Sequence, residues 1–450
     1  MVYLNRLVYL KKRGIKVTTS NEQLGWKRLD NTAKLFPVIA NENLSNVFRV
    51  SVTLKEKVLP EILRQALEEV LPWFEGFRVR LRRGVFWYYF EMNTRQPMIE
   101  EESTYPCQYI DPRSHQMFLF RVSYYEKRIN LEVFHAITDG MGAMNFLKEL
   151  TYHYLKLKKA QQDEGVKSEK INFKKPSRAC YLDTEDSYIK NYKSLEVKGY
   201  SKQKAYQLQG ELLEFERISV IHGYINIEDL KKLCKAQGVS VTKYLTALII
   251  WGIYKEYLNG QASQNPIAIN IPINLRKFFE STTTRNFFAV SMIEFLPVKA
   301  SYTFEEVLQI VSSQMDEKIT KEKLEKTISY NVSNEKKFYL RFAPLPFKYL
   351  ALKYVFSQSN KATTTTLSNL GAIDVLPEFK EEIERFHFII GVSKKQKMKC
   401  SVCSYGSELV LSFATVLKEP YLQRSVFRQL TQEGVRVKIE SNGVLNEKMS

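Results

Sequence analysis

Residues 131–140, LEVFHAITDG, form an apolar stretch that breaks into a turn, and the break carries one histidine and one aspartate. Ile129, Leu131 and Val133 share the parity of His135, so the histidine lies on the apolar face of a predicted strand. A core strand normally continues with apolar residues, and a turn needs no imidazole. The question is whether His135 belongs to a functional site or only ends a strand.

A helix is predicted after the turn. The apolar residues that follow Gly140 recur at helical spacing: Ala143, Phe146, Leu147, Leu150 and Tyr154. The stretch is therefore predicted to be a strand-to-helix junction, with His135 and Asp139 in its turn.

Two interpretations of His135 stay open on the residues alone. The simpler one is a half-buried histidine that hydrogen-bonds a backbone carbonyl. In the other, the end of a rigid strand holds the imidazole in one tautomer, and its near-neutral pKa suits proton abstraction from a hydroxyl or amine. Asp139 would then point away from the substrate and anchor the turn through an arginine, while Gly140 and Gly142 permit close backbone approach.

The residues before the junction predict one helix and two hairpins. Leu59–Leu71 places apolar residues at helical spacing. Residues 77–92, FRVRLRRGVFWYYFEM, alternate like a hairpin, with its turn predicted at residues 82–84. The second hairpin is predicted over residues 118–135, FLFRVSYYEKRINLEVFH.

The second half of the chain again mixes helices and strands. Helices are predicted over residues 226–238, ending at Gly238, over 240–260 with Ser240 as N-cap, and over 303–324 as one helix. Strands are predicted over residues 266–275, 385–393 and 408–416. This mixture predicts an α/β or α+β layered fold.

The composition is that of a globular protein. The 450 residues are 44% hydrophobic and 13% aromatic, and no uninterrupted apolar stretch approaches the roughly 20 residues that cross a bilayer. No export signal is evident. The five cysteines are odd in number and widely spread, which favours reduced thiols in a cytoplasm. Cys400 and Cys403 form a CxxC pair without a second pair or a histidine cluster, so no metal site is expected.

The chain is strongly basic. It has 67 Lys and Arg against 49 Asp and Glu, a net charge of +18, and so attracts anions. Basic residues concentrate in a predicted N-terminal extension, residues 1–19, and in a polar segment predicted to be a crossover, residues 166–209. The simplest interpretation of this charge is a solvated basic surface. No nucleic-acid-binding signature is present, so nucleic acid is not the expected partner.

Residues 134–140, FHAITDG, resemble the HHxxxDG motif of the chloramphenicol acetyltransferase-like superfamily, which includes alcohol acetyltransferases, plant BAHD acyltransferases and nonribosomal peptide condensation domains. His135 matches the histidine that is the general base of the family. Asp139 matches the structural aspartate, and Gly140 completes the motif. The sequence departs from the family at the first histidine, which is Phe134 here.

Two more stretches carry the same resemblance. Residues 272–288, PINLRKFFESTTTRNFF, are similar to the family's NLRPF…GNFF element, with Arg285 in place of a glycine. The resemblance implies that Arg276 pairs with Asp139 and that Asn286 belongs to the active-site floor. An ordinary surface arginine and a turn asparagine are the alternatives.

The third stretch is residues 363–377, TTTTLSNLGAIDVLP, which is similar to the SNLG segment of the alcohol acetyltransferase-like branch. Ser368 and Asn369 are candidate oxyanion or acceptor contacts, although Ser-Asn before Gly also satisfies loops through local hydrogen bonds.

The resemblance implies two α/β lobes, residues 20–165 and 210–450, with a tunnel between them and His135 at its centre. It implies direct acyl transfer from acyl-CoA, acetyl-CoA foremost, to a small-molecule alcohol or amine, with acyl-CoA as cosubstrate and no permanently bound cofactor. Two alternatives stay open: transfer from the thioester of an acidic carrier protein, as in condensation domains, and a non-catalytic binding module of the same fold.

Overall fold

The computed structural model of the protein describes residues 26–162, 185–195, 203–214, 217–336 and 343–444. The helices of these ranges are α1 Phe36–Ile39, α2 Pro60–Val70, α3 Gly140–Gln162, α4 Ser187–Lys190, α5 Ile227–Ala236, α6 Val241–Tyr257, α7 Phe304–Lys318, α8 Lys321–Lys336, α9 Leu345–Lys361 and α10 Tyr421–Gln432. The strands are β1 Trp26–Arg28, β2 Val47–Leu54, β3 Val79–Arg83, β4 Tyr88–Met92, β5 Ile99–Glu101, β6 Phe120–Tyr125, β7 Arg128–Phe134, β8 Ser219–Asn226, β9 Ile267–Asn274, β10 Phe288–Phe295, β11 Thr365–Ala372, β12 Ile383–Ile390, β13 Met398–Tyr405, β14 Glu408–Thr415 and β15 Val437–Ser441.

The first lobe is built on a five-stranded sheet of order β12-β2-β7-β6-β5. Strand β7 is buried along almost its whole length, and it pairs antiparallel with β2 so that Phe134 lies opposite Val47. Helix α2 buries one apolar face in the same core through Ile62, Leu63, Ala66, Leu67 and Val70. A separate three-stranded sheet, β1-β4-β3, contains the first hairpin.

One strand of this sheet comes from the far half of the chain. Strand β12 pairs antiparallel with β2, and Phe388 lies opposite Val50. Residues 210–450, predicted as the second lobe, therefore contribute a strand to the sheet of the first lobe. The chain passes into the first lobe for β12 and then returns to the second. The domain boundaries stay a prediction, and residues 1–19 and most of 166–209 lie outside the described residues.

The second lobe is built on a seven-stranded sheet of order β10-β9-β11-β13-β14-β8-β15. Helices α5, α6, α7 and α10 bury apolar side chains against one face of this sheet. Side chains of β13 point alternately to the two faces of the sheet. Cys400 belongs to the core under these helices, whereas Cys403 packs into the core of the first lobe. The second face of the sheet is therefore turned toward the first lobe.

Most predicted elements are present, and two boundaries were wrong. The first hairpin turns after Arg83 rather than at residues 82–84, because Arg82 stays in β3, where its Nε donates to Glu91 across the ladder at 2.8 Å. The helix predicted over 303–324 is broken at Ile319, which leaves the helical region with φ −103° and ψ 60°. The second piece, α8, then packs Leu324 and Ile328 onto a small third core.

The described cysteines are all free and buried: Cys107, Cys234, Cys400 and Cys403. Since Cys400 and Cys403 lie on opposite faces of β13, they cannot ligate one metal together. Within the described ranges no group of three or more potential metal ligands occurs. No helix of those ranges is long and apolar enough to cross a membrane.

Candidate active site at the His135 junction

The junction lies where the sequence predicted it. Strand β7 ends at Phe134, and α3 begins at Gly140. His135 follows the strand directly, partly buried, and its backbone N–H donates to the carbonyl of Asn46 at 2.9 Å. The backbone that carries the imidazole is therefore tied to the neighbouring chain.

Three phenylalanines enclose the imidazole of His135. Phe36 stacks on it with ring centroids 4.6 Å apart, and Phe48 meets its edge at 4.9 Å. Phe288, from the second lobe, lies 5.5 Å away. The ring is thus held by side chains from both lobes, and its plane is set by packing.

Asn286 fixes the tautomer of His135. The amide Nδ2 of Asn286 donates to the main-chain oxygen of His135 at 3.1 Å and to Oδ2 of Asp30 at 3.3 Å. Both amide protons are then used, so Oδ1 faces Nδ1 of His135 at 3.0 Å and can only accept. The proton of the neutral imidazole must therefore be on Nδ1, which leaves the lone pair of Nε2 available as a base.

Asp30 supports this arrangement and was not among the predicted site residues. Its Oδ1 accepts from the backbone of Ala33 at 2.7 Å, and Oδ2 lies 3.7 Å from Nε of Arg285. Burial raises the pKa of Asp30 to about 6. A largely ionised carboxylate at neutral pH thus holds the amide of Asn286 in one orientation.

Burial lowers the pKa of His135 below its ordinary value of 6.5. The positive charge of Lys399 lowers it further, whereas the negative charge of Asp139 and the hydrogen bond that Nδ1 donates to Asn286 raise it. Burial prevails, so the imidazole is neutral near pH 7 and ready to accept a proton.

Asp139 has a structural position, because its carboxylate accepts from two backbone N–H groups and from a guanidinium. Oδ1 accepts from the N–H of Gly142 in the first turn of α3 at 3.0 Å. Oδ2 accepts from the backbone of Phe287 at 2.9 Å and from Nη1 of Arg276 at 2.8 Å. Asp139 therefore fastens the junction to the residue that follows Asn286.

Arg276 also links the junction to the second lobe. Its guanidinium contacts Asp139, as the resemblance implied. Its Nε donates to the carbonyl of Thr283 at 3.0 Å, and Nη2 donates to that of Arg285 at 2.6 Å. One guanidinium thus holds the loop that delivers Asn286 to His135.

Close approach requires a glycine at position 142, and Gly140 also lies near the second lobe. A Cβ on Gly142 would overlap the carbonyl oxygen of Thr284, and one on Gly140 would lie 2.7 Å from the side chain of Leu370, which can move. Both contacts are to segments of the second lobe, so the small residues allow α3 to meet it.

The departures from the motif have local explanations. Phe134 is buried in the core of the first lobe, where an imidazole would have been desolvated. Arg285 donates through Nη2 to the carbonyl of Arg28 at 2.7 Å, beside its contact with Asp30. The side chain that replaces a glycine therefore links the Asn286 loop to β1.

The side chains of Ser368 and Asn369 lie on opposite faces of β11. Ser368 lies opposite Ser401 in the β11–β13 pairing, on the face turned toward the first lobe. The amide of Asn369 instead donates to Thr242 at 3.0 Å and accepts from Gly371 at 2.7 Å, at a glycine with φ +80°. Of the two, Ser368 alone is on the His135 side of the sheet.

A cavity of about 710 Å³ lies elsewhere. Aromatic and basic side chains dominate its lining, among them Arg28, Lys34, Phe86, Trp87 and Lys336. His135 does not line it, so its volume is no measure of space for a substrate at the imidazole.

The chain resembles solved structures over nearly its whole length. TRI101 of F. sporotrichioides, complexed with coenzyme A and T-2, has a TM-score of 0.61 and 11% identity, covering 92% of this chain and 99% of that one. The trichothecene 15-O-acetyltransferase TRI3 from Fusarium sporotrichioides has a TM-score of 0.60 and 9% identity, covering 91% and 94%. The starter condensation domain of rhizomide synthetase RzmA, in complex with C8-CoA, has a TM-score of 0.58 and 11% identity, covering 91% and 95%.

At these identities the likeness shows the fold. The predicted α/β architecture of two lobes is confirmed, and it is the fold that these acetyltransferases and condensation domains have. No family model and no curated protein matches the sequence.

Proposed function

We propose that this protein transfers an acyl group, acetyl foremost, from acyl-CoA to the hydroxyl or amine of a small molecule, with His135 as general base. The observation that carries the proposal is the Asn286 amide, whose two donated hydrogen bonds leave Oδ1 to fix the proton of His135 on Nδ1. A histidine that only ended a strand would need no such arrangement.

The chemistry is direct transfer. Nε2 of His135 takes the proton of the acceptor, and the acceptor oxygen or nitrogen attacks the thioester carbonyl. The tetrahedral intermediate then collapses, the carbon–sulfur bond breaks, and the thiolate of CoA receives the proton back from His135. No acyl-enzyme forms. Ser368 is the side chain we assign to the acceptor or the oxyanion, since Asn369 is engaged on the other face.

Acyl-CoA is the donor we favour. The structural relatives include one complexed with coenzyme A and one with C8-CoA, and the net charge of +18 suits a cosubstrate with several phosphates. The carrier-protein alternative draws on the same charge and on the likeness to a starter condensation domain.

The test is the release of free thiol from acetyl-CoA and longer acyl-CoAs with a panel of alcohols and amines. We expect transfer with at least one pair, and we expect His135→Ala to lower it by roughly 10²- to 10⁴-fold in a folded protein. Normal turnover by that variant would exclude His135 as the base. Failure of every acyl-CoA, together with transfer from an acylated carrier, would favour the alternative donor.

A further inference from the structure

Lys399 lies on the face of the second sheet that is turned toward the first lobe. Along β13, Met398 and Cys400 point into the core of the second lobe. Side chains alternate along a strand, so Lys399 and Ser401 point the other way. The hydroxyl of Ser401 donates to the carbonyl of Phe388 on β12, so this face of the second sheet contacts the sheet of the first lobe.

The pairing of β12 with β2 places Lys399 at the His135 end of the lobe interface. Strand β13 follows the short connection from the end of β12, where Ile390 lies opposite Phe48. Phe48 touches the imidazole ring. The charge of Lys399 also lowers the pKa of His135, as expected for a cation on this side of the interface.

Within the described residues the ammonium of Lys399 has no hydrogen bond and no carboxylate partner. Burial lowers its pKa to about 8. Its electrostatic neighbour Cys107 donates a backbone hydrogen bond to Glu132, but that carboxylate is already paired with Arg49 and Arg121. The side chain of Lys399 is partly buried, and a cation without a partner at such a position is costly, so a substrate anion would relieve that cost.

We propose that Lys399 binds a carboxylate that one of the two substrates carries close to its reacting atoms. The inference rests on the proposed function and names its substrate class: an acceptor such as a hydroxy acid, or an acyl-CoA whose acyl chain ends in a carboxylate. The phosphates of CoA are separated from the thioester by the pantetheine arm, whereas Lys399 lies at the end of the lobe interface where Phe48 contacts the imidazole. The required anion therefore belongs to the reacting end of a substrate.

The experiment compares matched substrates with the full-length protein. Acceptors are 3-hydroxybutyrate and its methyl ester, each with acetyl-CoA, and donors are succinyl-CoA and butyryl-CoA, each with one neutral alcohol. We expect wild-type protein to prefer the carboxylate-bearing member of one pair. In Lys399→Met that preference, as a ratio of kcat/KM values, should fall roughly 10- to 100-fold, mainly through KM. The pair that responds identifies the substrate that carries the anion.

Two further variants complete the design. Lys399→Arg keeps the charge and should keep most of the preference, and Lys395→Met, at an exposed lysine of the same connection, should behave like wild type. Equal kcat losses for both members of each pair would assign Lys399 to the oxyanion instead and overturn the proposal. Absence of any preference in wild-type protein would also overturn it, whether or not Lys399→Met folds.

Binding separates this inference from the proposed function. Calorimetric titration of 3-hydroxybutyrate, its methyl ester and succinyl-CoA needs no turnover. Binding that depends on Lys399 but is accompanied by no thiol release would keep the carboxylate site and contradict acyl transfer. Thiol release with equal binding of all probes would contradict the carboxylate site alone.

Discussion

Oδ1 of Asn286 lies 3.0 Å from Nδ1 of His135, although 151 residues and the lobe boundary separate the two in the chain. The imidazole comes from the end of a strand of the first lobe, and the amide comes from the loop before β10 of the second lobe. The hydrogen bond that orients the imidazole therefore requires both lobes to be docked. If His135 is the base, as we propose, docking of the lobes also sets its orientation.

Asn286→Ala should lower kcat by about 10- to 100-fold, the equivalent of one or two good hydrogen bonds. The pH profile distinguishes this role from general damage. The Asn286 hydrogen bond raises the pKa of His135, so its removal should move the acid limb of the kcat/KM profile to lower pH. Lower activity with an unmoved limb would mean that Asn286 does not set the protonation of His135.

Asp139 and Arg276 should behave as one buried pair. Replacement of either by alanine leaves the other charge without its partner, so each variant should lose about 3 to 5 kcal/mol of the free energy of unfolding, together with activity. The double variant should lose less than the sum of the two single losses. Urea denaturation of the four proteins measures the difference.

A surface pair provides the control for that cycle. Arg64 and Glu61 also form an ion pair on α2, but both side chains are mostly in solvent. Glu61→Ala should therefore change unfolding little. Strict additivity of the Asp139 and Arg276 losses would show that their contact contributes nothing to stability.

Sequence reasoning succeeded for the parts of the fold that local periodicity controls. The junction at His135 and the capped helix α6, whose Ser240 side chain accepts from Lys243, follow from short-range patterns. The break at Ile319 could not be predicted from such patterns. Helix α8 starts after it and covers a third core that contains Phe287, a residue remote in sequence.

The same limit applies to the site. Arg276 and Asn286 could be predicted only through resemblance, since each contacts a residue of the first lobe more than 130 positions away. Asp30 and Lys399 carry no local signal, because a single aspartate or lysine in a polar or strand segment is common. Their significance comes from burial and from what the docked lobes place beside them.

Acid should destabilise the fold well above the pH range in which carboxylates titrate. Burial lowers the pKa of His153 to about 4 and that of His222 to about 3, and it also depresses the pKa values of His135 and His387. The unfolded chain therefore binds more protons as pH falls below about 6.5, so stability declines from there downward. Carboxyl groups whose pKa burial raises in the folded state oppose this at lower pH: Asp30, whose pKa is about 6, and Glu69, Asp186 and Glu408.

Urea denaturation between pH 8.5 and 4.5 tests this. The free energy of unfolding should change little from pH 7.5 to about 6.5 and should fall steadily below that; above pH 7.5 it should rise, because burial lowers the pKa of Lys348 and of Lys399 to about 8. A curve that is flat down to pH 5 would show that these histidines are protonated in the folded protein and that burial does not dominate their titration.

The last prediction concerns the donor, and it uses the dependence on salt. If the basic surface docks an acidic carrier protein, association is steered by long-range charge, and efficiency should collapse as ionic strength rises beyond the physiological value, where the Debye length is about 8 Å. If the donor is acyl-CoA, its phosphates need only a few local cations. Salt should then raise the apparent KM and leave kcat nearly unchanged, because contacts remote from the carbonyl bind ground and transition states alike.

We expect the second behaviour, on the resemblance stated above for residues 363–377. Kinetics with acetyl-CoA at several salt concentrations, with and without an acylated carrier, separate the two donors. Transfer that occurs only with the carrier, and whose efficiency collapses as salt rises, would reverse the assignment of donor. It would leave His135 in place as the base, because the amide of Asn286 fixes the same tautomer whichever thioester reaches the imidazole.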